Sequence, residues 1–286
     1  MRHYVYSQTT RAGLGNELFP VIRGALRALD RGLVELQPVW MRPRIGPMIR
    51  GERDRRRYYA LFRRPGVRDI AVRALVLFAG QRFDESGRKI RHGLPGLGVT
   101  VVKGMDGYFE PLQGRHHLVL SNLESRSRDH GLRRSSPGVA MHVRLGDFAR
   151  PTNNGVIDTN ASTSMHWFVD VAVAVIESGW SVTVFSDGED SELAPLLSVP
   201  AVSRAPKGTA LSEMIAMSGH IFIVGSGSTF TAWAAFLGDK PLLLFPGTNH
   251  YLKWSDKVVE EADGPCGVSR IRSIVRRPED NLELEH

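Results

Sequence analysis

The chain has 286 residues, of which 42% are hydrophobic, 8% aromatic and 23% charged, a balance that excludes a disordered or fibrous protein and supplies material for a large core. Its single cysteine, Cys266, excludes a disulfide framework and any multi-cysteine zinc site, and points to a reducing compartment. The 37 Lys and Arg against 30 Asp and Glu give a net charge of +7, which favours anionic partners without choosing among nucleic acid, membrane surface and phosphorylated small molecules. No apolar run reaches the roughly 18 residues of a spanning helix, and Ala74–Ala79 is short and preceded by Arg73. Met1–Arg11 lacks an apolar signal core, so a cytoplasmic location is expected, and Leu284-Glu285-His286 reads as a tag remnant.

In chain order, His3–Tyr6 reads as a strand, followed by a glycine loop and a helix whose Leu18, Ile22, Ala25, Leu26 and Leu29 share one face. Pro20 fits only the first turn of such a helix. Strand candidates follow at Leu33–Leu36 and Val99–Val102, separated by an arginine-rich stretch around Arg50–Arg57, Arg63, Arg64 and Arg68. The plain reading of those arginines is a solvated face, because no RNA-recognition, KH, helix-turn-helix or zinc-finger pattern accompanies them. Arg133–Gly138 interrupts the pattern and places a boundary there, giving domains at 1–135 and 136–283.

Beyond it, strand and helix alternate with short links. Val139–Val143, Ser181–Phe185, Ile221–Val224 and Pro241–Phe245 read as strands, and Trp167–Ile176, Leu193–Leu197, Leu211–Met217 and Phe230–Leu237 as helices. That rhythm predicts an α/β fold with a parallel sheet covered on both faces.

Three polar loops follow predicted strands on what would be one sheet edge, where open α/β sheets bind ligands. His142-Val-Arg-Leu-Gly-Asp147 places His142 and Arg144 on one side of the chain, where an imidazole and a guanidinium would converge on a phosphate; the plain alternative is an Arg–Asp pair beside a core histidine. Ser186-Asp-Gly188 ends the next strand, and Gly225-Ser-Gly-Ser-Thr229 offers hydroxyls and N–H groups at a helix start, as a phosphate cradle or as plain helix capping. Gly13-Leu-Gly-Asn16 reads alone as a tight turn with Asn16 capping the helix, and Leu18 stands where a dinucleotide fingerprint needs its third glycine. A P-loop, a nucleophile elbow, a zincin motif and an Asp-x-Asp pair are all missing, and Asp187-Gly-Glu-Asp190 spaces its aspartates differently.

Taken in order, Gly13-Leu-Gly-Asn16, Gly107-Tyr-Phe109, His142-Val-Arg-Leu-Gly-Asp147, Phe185-Ser-Asp187, Glu213–Ser218 and Ser226–Trp233 resemble the bacterial α-1,2-fucosyltransferases and their wider superfamily, over nearly the whole chain. The resemblance implies a GT-B-like fold, two Rossmann-like domains facing across a cleft, with an acceptor-side N-terminal domain and a nucleotide-sugar-binding C-terminal one. It implies inverting transfer of L-fucose from GDP-fucose to a sugar or glycoside hydroxyl, with no metal and no cofactor beyond the donor. Arg144 then grips the donor diphosphate beside His142 and Asp147, while Gly13, Gly15, Asn16, Ser226, Ser228 and Thr229 lie near the donor and Asp187 and Glu213 accept from its guanine. Asp147 is the first candidate base, with Asp158 and Glu17 behind it, and a mechanism with little base assistance is also open. The chain departs from the family pattern at Leu145 (usually arginine), Glu17 (glutamine), Gly188 (aspartate) and an extra small residue in Gly225-Ser-Gly-Ser228. The different-class alternative is a non-catalytic nucleotide- or nucleic-acid-binding protein using the basic N-terminal half.

Overall fold

The computed structural model describes residues 2–9, 12–38, 40, 58, 61–128, 138–145, 164–246, 257–260 and 268–274. These form two compact units, one holding the described residues up to Arg128 and the other those from Gly138 onward. The arginine-rich stretch 50–57, the boundary segment before Gly138, Cys266, Asp147 and Asp158 lie outside the described residues.

In the first unit, β1 (Arg2–Gln8), α1 (Leu14–Asp30), β2 (Val34–Leu36), α2 (Val67–Ala79), β3 (Gly80–Phe83), β4 (Lys89–Arg91), β5 (Leu94–Lys103) and α3 (His116–Arg126) follow one another. The sheet runs β2-β1-β5-β3-β4, parallel except where β3 and β4 form an antiparallel hairpin. Tyr4, Leu36 and Val99 pack with Val76 of α2, whereas Val5 and Val102 pack with Ala28 of α1, so period-two alternation gives each face its own helix. Helix α1 begins at Leu14 with Gly13 as its N-cap, which places Asn16 inside the first turn rather than at the cap. Pro20 sits within this helix, beyond the first turn expected for it, at the cost of a donor to the carbonyl of Asn16. Burial of α1 from Leu14 to Ala28 outweighs that loss. Gly107-Tyr-Phe109 is a packing motif here: both Gly107 and Tyr108 have positive φ, and the buried Phe109 meets Phe19 of α1 edge-on at 4.9 Å.

The second unit runs β6 (Val139–Val143), α4 (Met165–Glu177), β7 (Val182–Ser186), α5 (Asp190–Leu197), β8 (Val202–Arg204), α6 (Ala210–Met217), β9 (Phe222–Gly225), α7 (Thr229–Gly238), β10 (Leu242–Leu244), β11 (Val258–Glu260) and α8 (Val268–Ile274). Its six strands are parallel in the order β11-β10-β9-β6-β7-β8, the doubly wound arrangement in which the chain first builds outward from β6 on one side and then from β9 on the other. Val139, Met141 and Val143 face a core completed by Trp167, Phe168, Val171 and Val175 of α4 and by Ile271 of α8. All five residues of β6 are buried, so Ala140 and His142 look into the layer on the other face of the sheet. Both units are thus α/β with Rossmann-like parallel strands, and no helix among the described residues is long and apolar enough to cross a membrane.

Candidate functional site

The polar loops after β6, β7 and β9 leave the same edge of the second sheet, because every strand in it is parallel. Within that edge β6 and β9 are neighbours, with His142 paired opposite Gly225, and they are the two strands from which the chain departs in opposite directions. Connections diverging from adjacent strand ends leave a crevice, the place where sheets of this topology bind ligands.

Three buried side chains form a hydrogen-bonded frame at this edge. His142 Nδ1 lies 2.6 Å from Thr231 Oγ1, which lies 2.8 Å from Ser228 Oγ, and Ser228 Oγ accepts from the backbone N–H of Thr231 at 3.2 Å as the N-cap of α7. Gly225 makes this possible: a Cβ there would fall 2.3 Å from Thr231 Cγ2, so only glycine lets α7 approach β9 closely enough for Thr231 to reach His142. Gly227, with φ of +70°, turns the loop between them.

The frame has one open polar group. Ser226 is buried, and its Oγ has no hydrogen-bond partner among the described residues. A buried hydroxyl left unpaired costs about 1–3 kcal/mol, and this one stands two residues before the N-cap of α7, whose first N–H groups and positive end favour an anion. Thr229 opens that helix as its first residue.

Arg144, half-buried, follows the last residue of β6. It brings a permanent positive charge near His142, whose pKa burial first and Arg144 second push down to about 4, with Asp187 opposing. His142 is therefore neutral at physiological pH and committed to Thr231. It holds the loop in place rather than acting as the second phosphate-gripping cation that the alternation along the strand suggests.

Asp187 and Glu213 come together on the β7 side. Asp187 Oδ1 accepts the backbone N–H of Leu145 at 2.8 Å, tying the β7 loop to the residue beside Arg144. Glu213 Oε1 accepts the Gly208 N–H at 3.0 Å. Burial foremost, and then the Asp187 charge, raise the Glu213 pKa, against the Gly208 bond, Arg204 and Lys207.

No protein-family model matches the chain, and no curated protein sequence matches it. Among solved structures it is similar to fucosyltransferase NodZ from Bradyrhizobium, at 15% identity over 83% of this chain and 94% of that one, with a TM-score of 0.43. Arabidopsis thaliana FUT1, as a mutant in complex with GDP, aligns at 12% identity over 87% of this chain and 72% of that one, with a TM-score of 0.47. E. coli heptosyltransferase WaaC, with ADP-2-deoxy-2-fluoro heptose, aligns at 12% identity over 98% of this chain and all of that one, with a TM-score of 0.45.

Of the residues singled out in the sequence, the second unit gathers His142, Arg144, Asp187, Glu213, Ser226, Ser228 and Thr229 around one sheet edge. Gly13, Gly15, Asn16 and the buried Glu17 belong to the first unit, at the start of α1. Gly13 has an ordinary extended conformation (φ −62°, ψ 162°), and a Cβ on it would meet nothing within 4 Å, so neither strain nor crowding explains a glycine there.

Sequence reasoning missed two participants and one pairing. Thr231 is wholly buried, and nothing in a Ser-x-x-Thr helix start shows which strand it will touch. Arg204, at the end of the three-residue β8, donates to the carbonyls of Ser186 and Gly188 at 3.3 and 2.6 Å and pairs with Asp190, bracing the loop that carries Asp187. Leu145 and Gly188, noted only as separate departures from the family pattern, are neighbours: a Cβ on Gly188 would lie 2.6 Å from Leu145 Cδ1. The two departures are one packing solution, in which a leucine anchored on the core occupies the space over a glycine.

Proposed function

We propose that this chain is an inverting glycosyltransferase that moves L-fucose from GDP-fucose to a hydroxyl of a sugar or glycoside acceptor, without a metal ion. The observation that carries the reading is the sheet edge at the ends of β6 and β9, where a buried Ser226 hydroxyl with no partner among the described residues and the start of α7 follow β9, while Arg144 follows the neighbouring β6. That set suits a diphosphate: N–H groups and hydroxyls to bind its oxygens, and a cation to offset its charge. Of the motifs that resemble the fucosyltransferases, those at His142–Leu145, Phe185–Asp187, Glu213–Ser218 and Ser226–Trp233 belong to this second unit, and those at Gly13–Asn16 and Gly107–Phe109 to the first.

In the proposed reaction the acceptor oxygen attacks the anomeric carbon as the bond from that carbon to the diphosphate oxygen breaks, and the electron pair leaves with GDP. Negative charge grows on the diphosphate while the sugar gains oxocarbenium character, so Arg144 and the loop before α7 act where charge develops. Neutral His142 keeps Thr231 and Ser228 in register beneath that loop. Asp187 and Glu213 are assigned to the base, since a carboxylate accepts from the N1 and N2 hydrogens of guanine and finds no matching donor pair on uracil or adenine. The acceptor proton is assigned to a carboxylate, Asp147 first and then Asp158, with a mechanism of little base assistance as the alternative.

The test has two parts. Calorimetric titration should show GDP binding more tightly than ADP or UDP, and incubation with labelled GDP-fucose and a panel of glycosides should release GDP with transfer of label. Binding without any turnover, by transfer or by hydrolysis, would instead support a non-catalytic nucleotide-binding protein. Equal affinity for all three nucleotides would remove the guanine assignment.

A further inference from the structure

Helix α2 presents two apolar faces, and the described residues of the first unit cover only one of them. Val76 is buried against Tyr4 and Val99, with Val72 and Leu77 partly covered beside it. The opposite side carries Val67, Ile70, Leu75 and Phe78, all exposed, with Val67 86% and Phe78 81% accessible. Their spacing, with Ala71 and Ala74 between, is that of one helical stripe. Two further exposed apolar residues, Ile90 and Leu94, flank the segment that packs on the helix's last turn. There Arg91 donates to the carbonyls of Leu77 and Phe78, and Gly93 lies so close to Ala79 that a Cβ would fall 2.4 Å from its carbonyl oxygen. Single exposed leucines need no explanation, but six large apolar side chains grouped in this way mark an interaction surface.

The surrounding charge selects the partner. Residues 61–95 contain eight Lys and Arg against three Asp and Glu. Each acid is already engaged: Asp69 accepts from the Gly66 N–H, Asp84 pairs with Arg88, and Glu85 pairs with the buried Arg23 at 3.0 Å. Arg68, Lys89 and Arg91 remain exposed around the apolar stripe. A second copy of the chain meeting this face about a twofold axis would set these cationic rims against each other. The occupant must therefore be apolar in depth and anionic at its surface, which describes a bilayer leaflet with anionic headgroups. We propose that the outer face of α2, with Ile90 and Leu94, is a peripheral docking surface for anionic lipid membranes. This does not depend on the glycosyltransferase reading.

The full chain should be sedimented with vesicles of phosphatidylcholine alone and of phosphatidylcholine with about 30% phosphatidylglycerol, at about 0.1 M salt and again at about 0.5 M. Binding is expected to the anionic vesicles, weakly or not at all to the neutral ones, and to weaken in high salt. Leu75→Glu with Phe78→Glu should lower partitioning at least tenfold. A separate Arg68→Glu, Lys89→Glu variant should do the same through charge alone and decides the matter if the first variant fails to fold, as read by thermal unfolding. Absence of binding to anionic vesicles, or equal binding by wild type and both folded variants, overturns the proposal. So does a dimer in light scattering that Phe78→Glu converts to a monomer, which would assign the face to self-association.

Discussion

Acidification is expected to destabilise the second unit through one histidine. In the unfolded chain His142 titrates near its ordinary value of 6.5, whereas in the fold burial and Arg144 hold it at about 4. Between those values the unfolded chain takes up a proton that the folded chain refuses. The stability contributed by the neutral ring is therefore complete above about pH 6.5, falls as pH drops, and reaches its floor near pH 4. At about 1.4 kcal/mol per pH unit, the interval sets a loss of about 3 kcal/mol. His142→Gln keeps a side chain able to bond Thr231 and takes up no proton, so it removes this dependence while leaving the depressed His3 and His220 to act equally in both proteins. Urea unfolding of the two proteins at several pH values from 7 to 4 reads the difference directly, as a change in free energy extrapolated to water. Wild type should lose about 3 kcal/mol more than the variant over that range. Curves that stay parallel within about 1 kcal/mol would show that His142 is not buried and neutral, and with that the frame built on Thr231 would fail.

Gly225→Ala is expected to destabilise by about 1–3 kcal/mol and to weaken GDP binding, because its Cβ would land 2.3 Å from Thr231 Cγ2; adding Thr231→Ser, which deletes that methyl and keeps the hydroxyl, should recover much of both in unfolding and titration experiments. Arg144→Ala should leave the unfolding midpoint nearly unchanged and lower transfer from GDP-fucose by about two orders of magnitude or more, since truncating a charge contact to a bound anion costs about 2–5 kcal/mol. Glu213→Gln should narrow the preference for GDP over ADP in calorimetric titration by roughly tenfold, the scale of one lost charge-assisted hydrogen bond. Transfer should persist in excess chelator at close to its rate in magnesium buffer; abolition by chelator with rescue by Mn²⁺ would return the Asp187–Asp190 segment to consideration as a metal site.

What the sequence determines by itself is local. The apolar runs at Val139–Val143 and Ile221–Val224 are legible because strands buried on both faces need no alternation, and both ends of those runs are marked by glycine or by polar turns. The α/β rhythm, the loops after β6, β7 and β9, and the place of Arg144 at a strand end follow from such short-range signals. In the first unit the signal thins: α2 buries a single residue fully, so its pattern is that of neither a clear amphipathic helix nor a strand. The β3–β4 hairpin has only its Asp84-to-Gly87 turn to announce it.

The tertiary structure decided what depends on residues far apart in the chain. The strand order that sets β6 beside β9 fixes the crevice, and no local period encodes it. His142 meets Thr231 across 89 positions, and burial together with the Arg144 charge turns a candidate phosphate cation into a neutral support. Leu145 and Gly188 are conspicuous separately in the sequence and explain each other only when β6 and β7 lie side by side. The physical reason is that pKa values and close packing are set by the neighbours a side chain acquires on folding, whereas propensity and periodicity are set by the few residues on either side of it.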